Sequence, residues 1–198
     1  MGWQRFLGIP APGAAASPAR AAQAGAPSDD AADTETVRRI VGRLEAMPRD
    51  QARFLAGFAY ILTRAAAADL DISDAEERVI EGLVAEHGHL PESHAVLVSQ
   101  MARSQSLLYG GTEDYLVTRQ FKELSTPEQR LALLRCCYLV GAADDDISVA
   151  ESDTLQEIAA ELDVDRAQVN AIRHEFEPKL STIKAMLRLR EGGPAESA

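Results

Sequence analysis

Two short stretches of the chain carry the residue types that hold cations. Residues 67–76 read A-A-D-L-D-I-S-D-A-E, and residues 142–151 read A-A-D-D-D-I-S-V-A-E. Asp69, Asp71 and Glu76 of the first recur as Asp144, Asp146 and Glu151 of the second, each 75 positions later (69 to 144). Oxygen-bearing side chains at alternate positions, D-x-D-x-S, match the opening of a calcium-binding loop, which draws ligands from positions 1, 3 and 5. The match then ends. The sixth position is Asp74 or Val149 where such a loop needs Gly, and the twelfth is Ile80 or Leu155 where it needs Glu. A looser site for Ca²⁺ or Mg²⁺, built from Asp69, Asp71, Asp144, Asp146, Glu76 and Glu151, is one expectation. It gains if pseudo-twofold symmetry brings the two corners together.

The same residues have a structural reading. S-x-x-E at Ser73/Glu76 and at Ser148/Glu151 is a capping box, in which Ser accepts from a first-turn N–H and Glu reaches back to the Ser N–H. Acids near a helix N-terminus also interact favourably with its dipole, by about 0.3–1 kcal/mol each. Capping leaves Asp69 and Asp144 unexplained. They fall at the end of the preceding helix, where a carboxylate faces the negative end of the dipole.

Other chemistries find little support. His87 and His89 are two apart, a spacing that does not share a helix face, and with His94 they read as surface histidines around a turn. Cys136 and Cys137 are adjacent in an apolar run and read as core residues. With no disulfide framework, a reducing cytosol is the expected compartment. No P-loop, nucleophile elbow, CxxC or H-E-x-x-H is present, so no enzyme is expected. The net charge of −11 excludes the basic footprint of a nucleic-acid binder and favours cations or basic partners.

The elements that must position the acidic corners are helices. Aromatics make up only 5% of the chain, and Ala-rich faces suit helices better than sheets. No segment alternates with period two, so no sheet is expected. A first helix is expected over about 34–46, ending before Pro48. A second starts near Asp50, with Phe54, Phe58, Ile61 and Ala65 as a core stripe. A third opens at Ser73, buries Val79, Ile80, Leu83, Val84 and His87, and stops at a left-handed Gly88. A fourth has Pro91 in its first turn. Gly110-Gly111 is expected to break it, with a new helix over 112–124. Ser125 then caps a helix with Pro127 and Glu128 in its first turn. Ser148 opens the next, Asp165 caps another, and residues 181–190 form the last. The fold class is therefore all-α, a helical bundle of two pseudo-symmetric repeats over residues 33–190, with residues 191–198 disordered.

Residues 1–32 differ in character. Trp3, Phe6, Leu7 and Ile9 form an apolar tip. Residues 10–32 are rich in Ala, Pro, Gly and Ser and are expected to be disordered. An apolar tip on a tether suggests docking on a protein partner, or peripheral contact with a membrane. No transmembrane helix is expected.

The two A-x-D-x-[acid]-I-S-x-x-E segments resemble the TerB family, the tellurite-resistance protein B-like proteins. So do Tyr115-Leu116-Val117-Thr118-Arg119 with the following L-S-T-P-E-Q-R-L-A-L-L, and L-D-V-D-R-A-Q-V after the second capping box. The resemblance covers about residues 35–176. It implies an all-α domain of two helical repeats whose acidic residues bind divalent cations. It further implies a cytosolic, non-enzymatic role in stress responses with membrane-associated partners. The alternative is a protein-interaction scaffold or co-chaperone-like adaptor whose acidic corners are purely structural. The family places Gly before the second acid, where this chain has Leu70 and Asp145. Asp adopts the left-handed conformation at modest cost and Leu does not, so the second corner is expected to be the better cation site.

Overall fold

The structure, a computed structural model, describes Gly42, residues 45–69 and residues 71–191. The N-terminal tip and linker, most of the first expected helix, Leu70 and residues 192–198 lie outside these. The chain divides between Arg53 and Phe54 into two compact units, and nearly all the described residues belong to the second. Among the described residues there are seven α-helices: α1 (Arg49–Ala66), α2 (Asp74–Gly88), α3 (Glu92–Leu124), α4 (Pro127–Gly141), α5 (Val149–Glu161), α6 (Arg166–Glu175) and α7 (Ser181–Glu191). Short 3₁₀ turns follow α1 (Ala67–Asp69) and precede α7 (Glu177–Lys179). No strand occurs among the described residues. A single bridge pairs Ile147 with Leu180, through Ile147 N–H to the Lys179 carbonyl (2.8 Å) and Ser181 N–H to the Ile147 carbonyl (3.0 Å).

The second half of α1 is the centre of its unit. Every residue from Gly57 to Ala66 is buried, so the helix is covered all round rather than on one stripe. Gly57 lets α3 come close: a Cβ there would stand 3.2 Å from the Phe121 ring. Phe121 also packs on Phe54, with ring centroids 4.8 Å apart. Leu133, Leu134, Cys137 and Tyr138 of α4 and Leu155, Ile158 and Leu162 around α5 complete the core. Helix α2 packs on α3 and α4, α4 on α5 and α6, and α5 on both α3 and the 3₁₀ turn after α1.

Four expectations are corrected. Gly110-Gly111 does not break the chain; α3 runs through it as one helix of 33 residues. Two glycines cost the helix about 2 kcal/mol relative to Ala, and anchoring at both ends outweighs that. The arms are held by α2 at one end and by α5 and Phe121 at the other. Gly88 is helical and buried against Leu55 and Leu90, and the left-handed C-cap is His89 (φ 50°). Thr126 rather than Ser125 caps α4, in a reciprocal box with Gln129. His87 is exposed, with its ring on Phe58 (4.8 Å), whereas His94, expected at the surface, is buried.

Candidate functional site

The two acidic corners have the same internal hydrogen bonding. In the first, Asp71 N–H donates to Asp69 Oδ1 (3.2 Å); in the second, Asp146 N–H donates to Asp144 Oδ1 (3.0 Å). These are Asx turns. They supply the partner that Asp69 and Asp144 lacked in the sequence reading. Both capping boxes form. Ser73 N–H donates to Glu76 Oε2 (2.8 Å) and Glu76 N–H to Ser73 Oγ (3.2 Å). Ser148 N–H donates to Glu151 Oε2 (2.7 Å) and Glu151 N–H to Ser148 Oγ (3.2 Å).

What the local pattern does not reveal is that the two capping glutamates meet. Glu76 and Glu151 are each only 4% exposed. Burial raises the Glu151 carboxyl to about 8, assisted by its contact with the Glu76 carboxylate and opposed by the Ser148 N–H. Two buried carboxyls in contact are most stable with one proton between them. Gly141 lies against the pair: a Cβ there would stand 3.4 Å from Glu151 Oε1.

The aspartates diverge from this pair and from each other in environment. Asp69, Asp71, Asp144 and Asp145 are exposed and Asp146 is half-buried, and Asp145 takes the left-handed conformation (φ 75°) that the sequence reading allowed it. The second corner is covered by cations from the end of the chain. Lys179 Nζ binds the Asp145 carboxylate, holding that carboxyl below the usual range. Lys184 Nζ donates to the Asp145 backbone carbonyl and to Asp146 Oδ1 (2.9 Å). An ammonium thus sits on one carbonyl and one carboxylate, the kind of oxygen set a divalent ion would take. Among the described residues no basic side chain pairs with Asp69 or Asp71. No group of three or more Asp, Glu, His or Cys side chains among the described residues gathers as metal ligands do.

A family model, Tellurite resistance protein TerB, matches residues 55–174. The chain belongs to the TerB family. Comparison with curated proteins and with solved structures gave no match. The matched span contains both acidic corners and most of the core, but the buried Leu180 and the clamping Lys179 and Lys184 of this TerB-family chain lie beyond it.

The sequence reading passed over a second polar centre. Arg64, 9% exposed at the end of α1, forms a bidentate pair with Glu161 of α5 (2.6 and 3.2 Å) and reaches Glu157 (3.4 Å). It also bonds Thr118 of α3 (3.2 Å) and lies 3.6 Å from Asp114, which accepts from the Tyr60 hydroxyl (2.9 Å). Burial pushes Asp114 and Tyr60 upward, while Arg64 draws the Asp114 carboxyl down. The available signal was one Arg within the Ala- and Leu-rich stripe of α1, which requires a buried acid opposite. The nearby cleft of about 330 Å³ is lined by Tyr115, Arg119, Lys122, Glu123, Arg130 and Glu161. Its cations already have partners: Arg119 with Glu123, Lys122 with Asp163, and Arg130 with the Leu162 carbonyl. Both cysteines are buried, and burial raises the Cys136 thiol to about 11 and Cys137 further.

Proposed function

We propose that this TerB-family chain is a non-enzymatic cytosolic adaptor of a stress response, of which tellurite resistance is the setting the family's name suggests. On this reading the acidic corners are structural. They start α2 and α5 and join them, and partners are bound elsewhere on the surface. The apolar tip with Trp3, Phe6, Leu7 and Ile9 is the recruiting element suggested by sequence, for a protein or a membrane-associated partner. The observation that carries the reading is the engagement of the corner oxygens within the chain. Asp69 and Asp144 close Asx turns, Glu76 and Glu151 close capping boxes, and Lys184 lies on Asp146.

A second reading keeps a divalent cation, Ca²⁺ or Mg²⁺, and one observation favours it at the first corner. Asp69 and Asp71 have no lysine clamp among the described residues, whereas the second corner does not fit a metal while Lys179 and Lys184 occupy its oxygens. This reverses the preference drawn from Leu70. Calorimetric titration with Ca²⁺ and Mg²⁺ separates the readings. The adaptor reading expects no heat of binding at millimolar metal. Binding that is lost in Asp71→Asn and kept in Asp146→Asn would establish a first-corner cation site instead.

A further inference from the structure

We infer that two copies of this chain associate through the middle of α3, packed antiparallel about a twofold axis between Gly111 and Thr112. From Ser104 to Leu116 every exposed residue of α3 is uncharged, in a chain of which 26% is charged. The run covers about 20 Å of helix. It carries large apolar side chains into solvent: Leu107 (67% exposed), Leu108 (70%), Tyr109, Tyr115 and Leu116. The two acids within the run are less exposed than these apolar side chains. Glu113 is half-buried, and Asp114 is held by Tyr60 and Arg64. Contiguous apolar patches on soluble chains mark interaction sites rather than chance exposure.

The periodicity fits a second copy of the same helix. Ser104, Leu108, Gly111 and Tyr115 recur at i, i+4, i+7 and i+11 and form one seam, flanked by Leu107 and Leu116. A twofold axis between Gly111 and Thr112 sets Leu108 of one copy against Tyr115 of the other and Gly111 against Thr112. Ser104 then faces Arg119, so no like charges oppose one another. Gly111 offers no side chain at the crossing, and among the described residues nothing beyond its own helical backbone and chain neighbours lies within 4 Å of where its Cβ would stand. Charge decides between occupants. At −11 each, two copies repel across most of their surfaces and can approach on an uncharged face. A basic partner would be drawn to the carboxylates and would find no acid to pair with in this seam.

Sedimentation velocity on the full chain, from micromolar to submillimolar concentration, tests the inference. A monomer–dimer equilibrium is expected that tightens with added salt as the repulsion is screened. Leu108→Glu should raise the dissociation constant at least tenfold while leaving the helical melting curve in place. Leu108→Lys and Tyr115→Glu should each dissociate the dimer alone and restore it together, because the antiparallel seam sets each changed position against the other. Thr112→Cys should give a disulfide-linked dimer under mild oxidation, with Cys136 and Cys137 buried and silent. The Thr112→Cys cross-link decides the matter if a charged variant fails to fold. A chain that stays monomeric at every concentration overturns the proposal, whether the face is then covered by another protein or by the chain's own N-terminal segment. A dimer indifferent to Leu108→Glu and Tyr115→Glu overturns it equally.

Discussion

Glu151 performs two tasks with opposite electrostatic demands. As a helix cap it accepts the Ser148 N–H, which favours the ionised form; pressed against Glu76 and away from water, it favours the protonated one. Burial and the neighbour win, and the carboxyl is pushed up to about 8. The sign of the stability effect follows. The folded chain holds a proton that the unfolded chain releases at lower pH. This contribution is therefore complete below about pH 4.5 and is lost as pH rises through about 8. Denaturant midpoints measured from pH 5 to 8.5 should fall with pH. Glu151→Gln, which keeps an acceptor for Ser148 and can donate to Glu76, should flatten the profile. Ser148→Ala should cost about 0.5–2 kcal/mol at any pH, as loss of an N-cap; an unmoved midpoint would mean that the hydroxyl does not cap α5. The caps were legible in the sequence because a capping box is complete within four residues. The meeting of Glu76 with Glu151 was not, because it depends on how α2 and α5 pack.

At the scale of elements, the helices were legible wherever local chemistry and packing agreed. They were misjudged where packing overrode a local signal. Gly110-Gly111 is a strong breaker in isolation, yet α3 continues because its arms are anchored on either side. S-T-P-E offers two hydroxyls in succession. Thr126 caps because Pro127 then takes the first helical position and Gln129 the third, which leaves Ser125 to end α3 with its hydroxyl buried and unpartnered. The Arg64 centre could be suspected from sequence only as a misplaced charge, since its acids lie 50 and 97 positions away. It joins α1, α3 and α5, so its removal is an element-scale lesion. Arg64→Met should destabilise the domain by on the order of 3 kcal/mol, because Asp114 and Glu161 lose their counter-charge while partly buried. Chemical denaturation read by circular dichroism would check this. A loss below 0.5 kcal/mol would show that water replaces the guanidinium at little cost.

On the scale of the whole molecule, TerB membership and the all-α class were both visible in the sequence, because the duplicated corners and the motif after Tyr115 are contiguous in the chain. The closing of the second corner was not. Its lysines arrive from α7 and the turn before it, on a backbone held by the Ile147–Leu180 bridge. In the sequence those lysines look like ordinary helix-end charges. A tethered ammonium is present at its site at an effective concentration of roughly millimolar or more, whatever the solution contains. On the cation reading, the second corner is an ion site with a resident competitor, placed there by residues outside the family-matched span. Its response to calcium would be set by how readily α7 lets go rather than by its carboxylates alone. Lys179→Ala with Lys184→Ala should make the melting temperature rise with millimolar Ca²⁺ by more than in the parent chain. An identical response in both would show that the lysines keep nothing out.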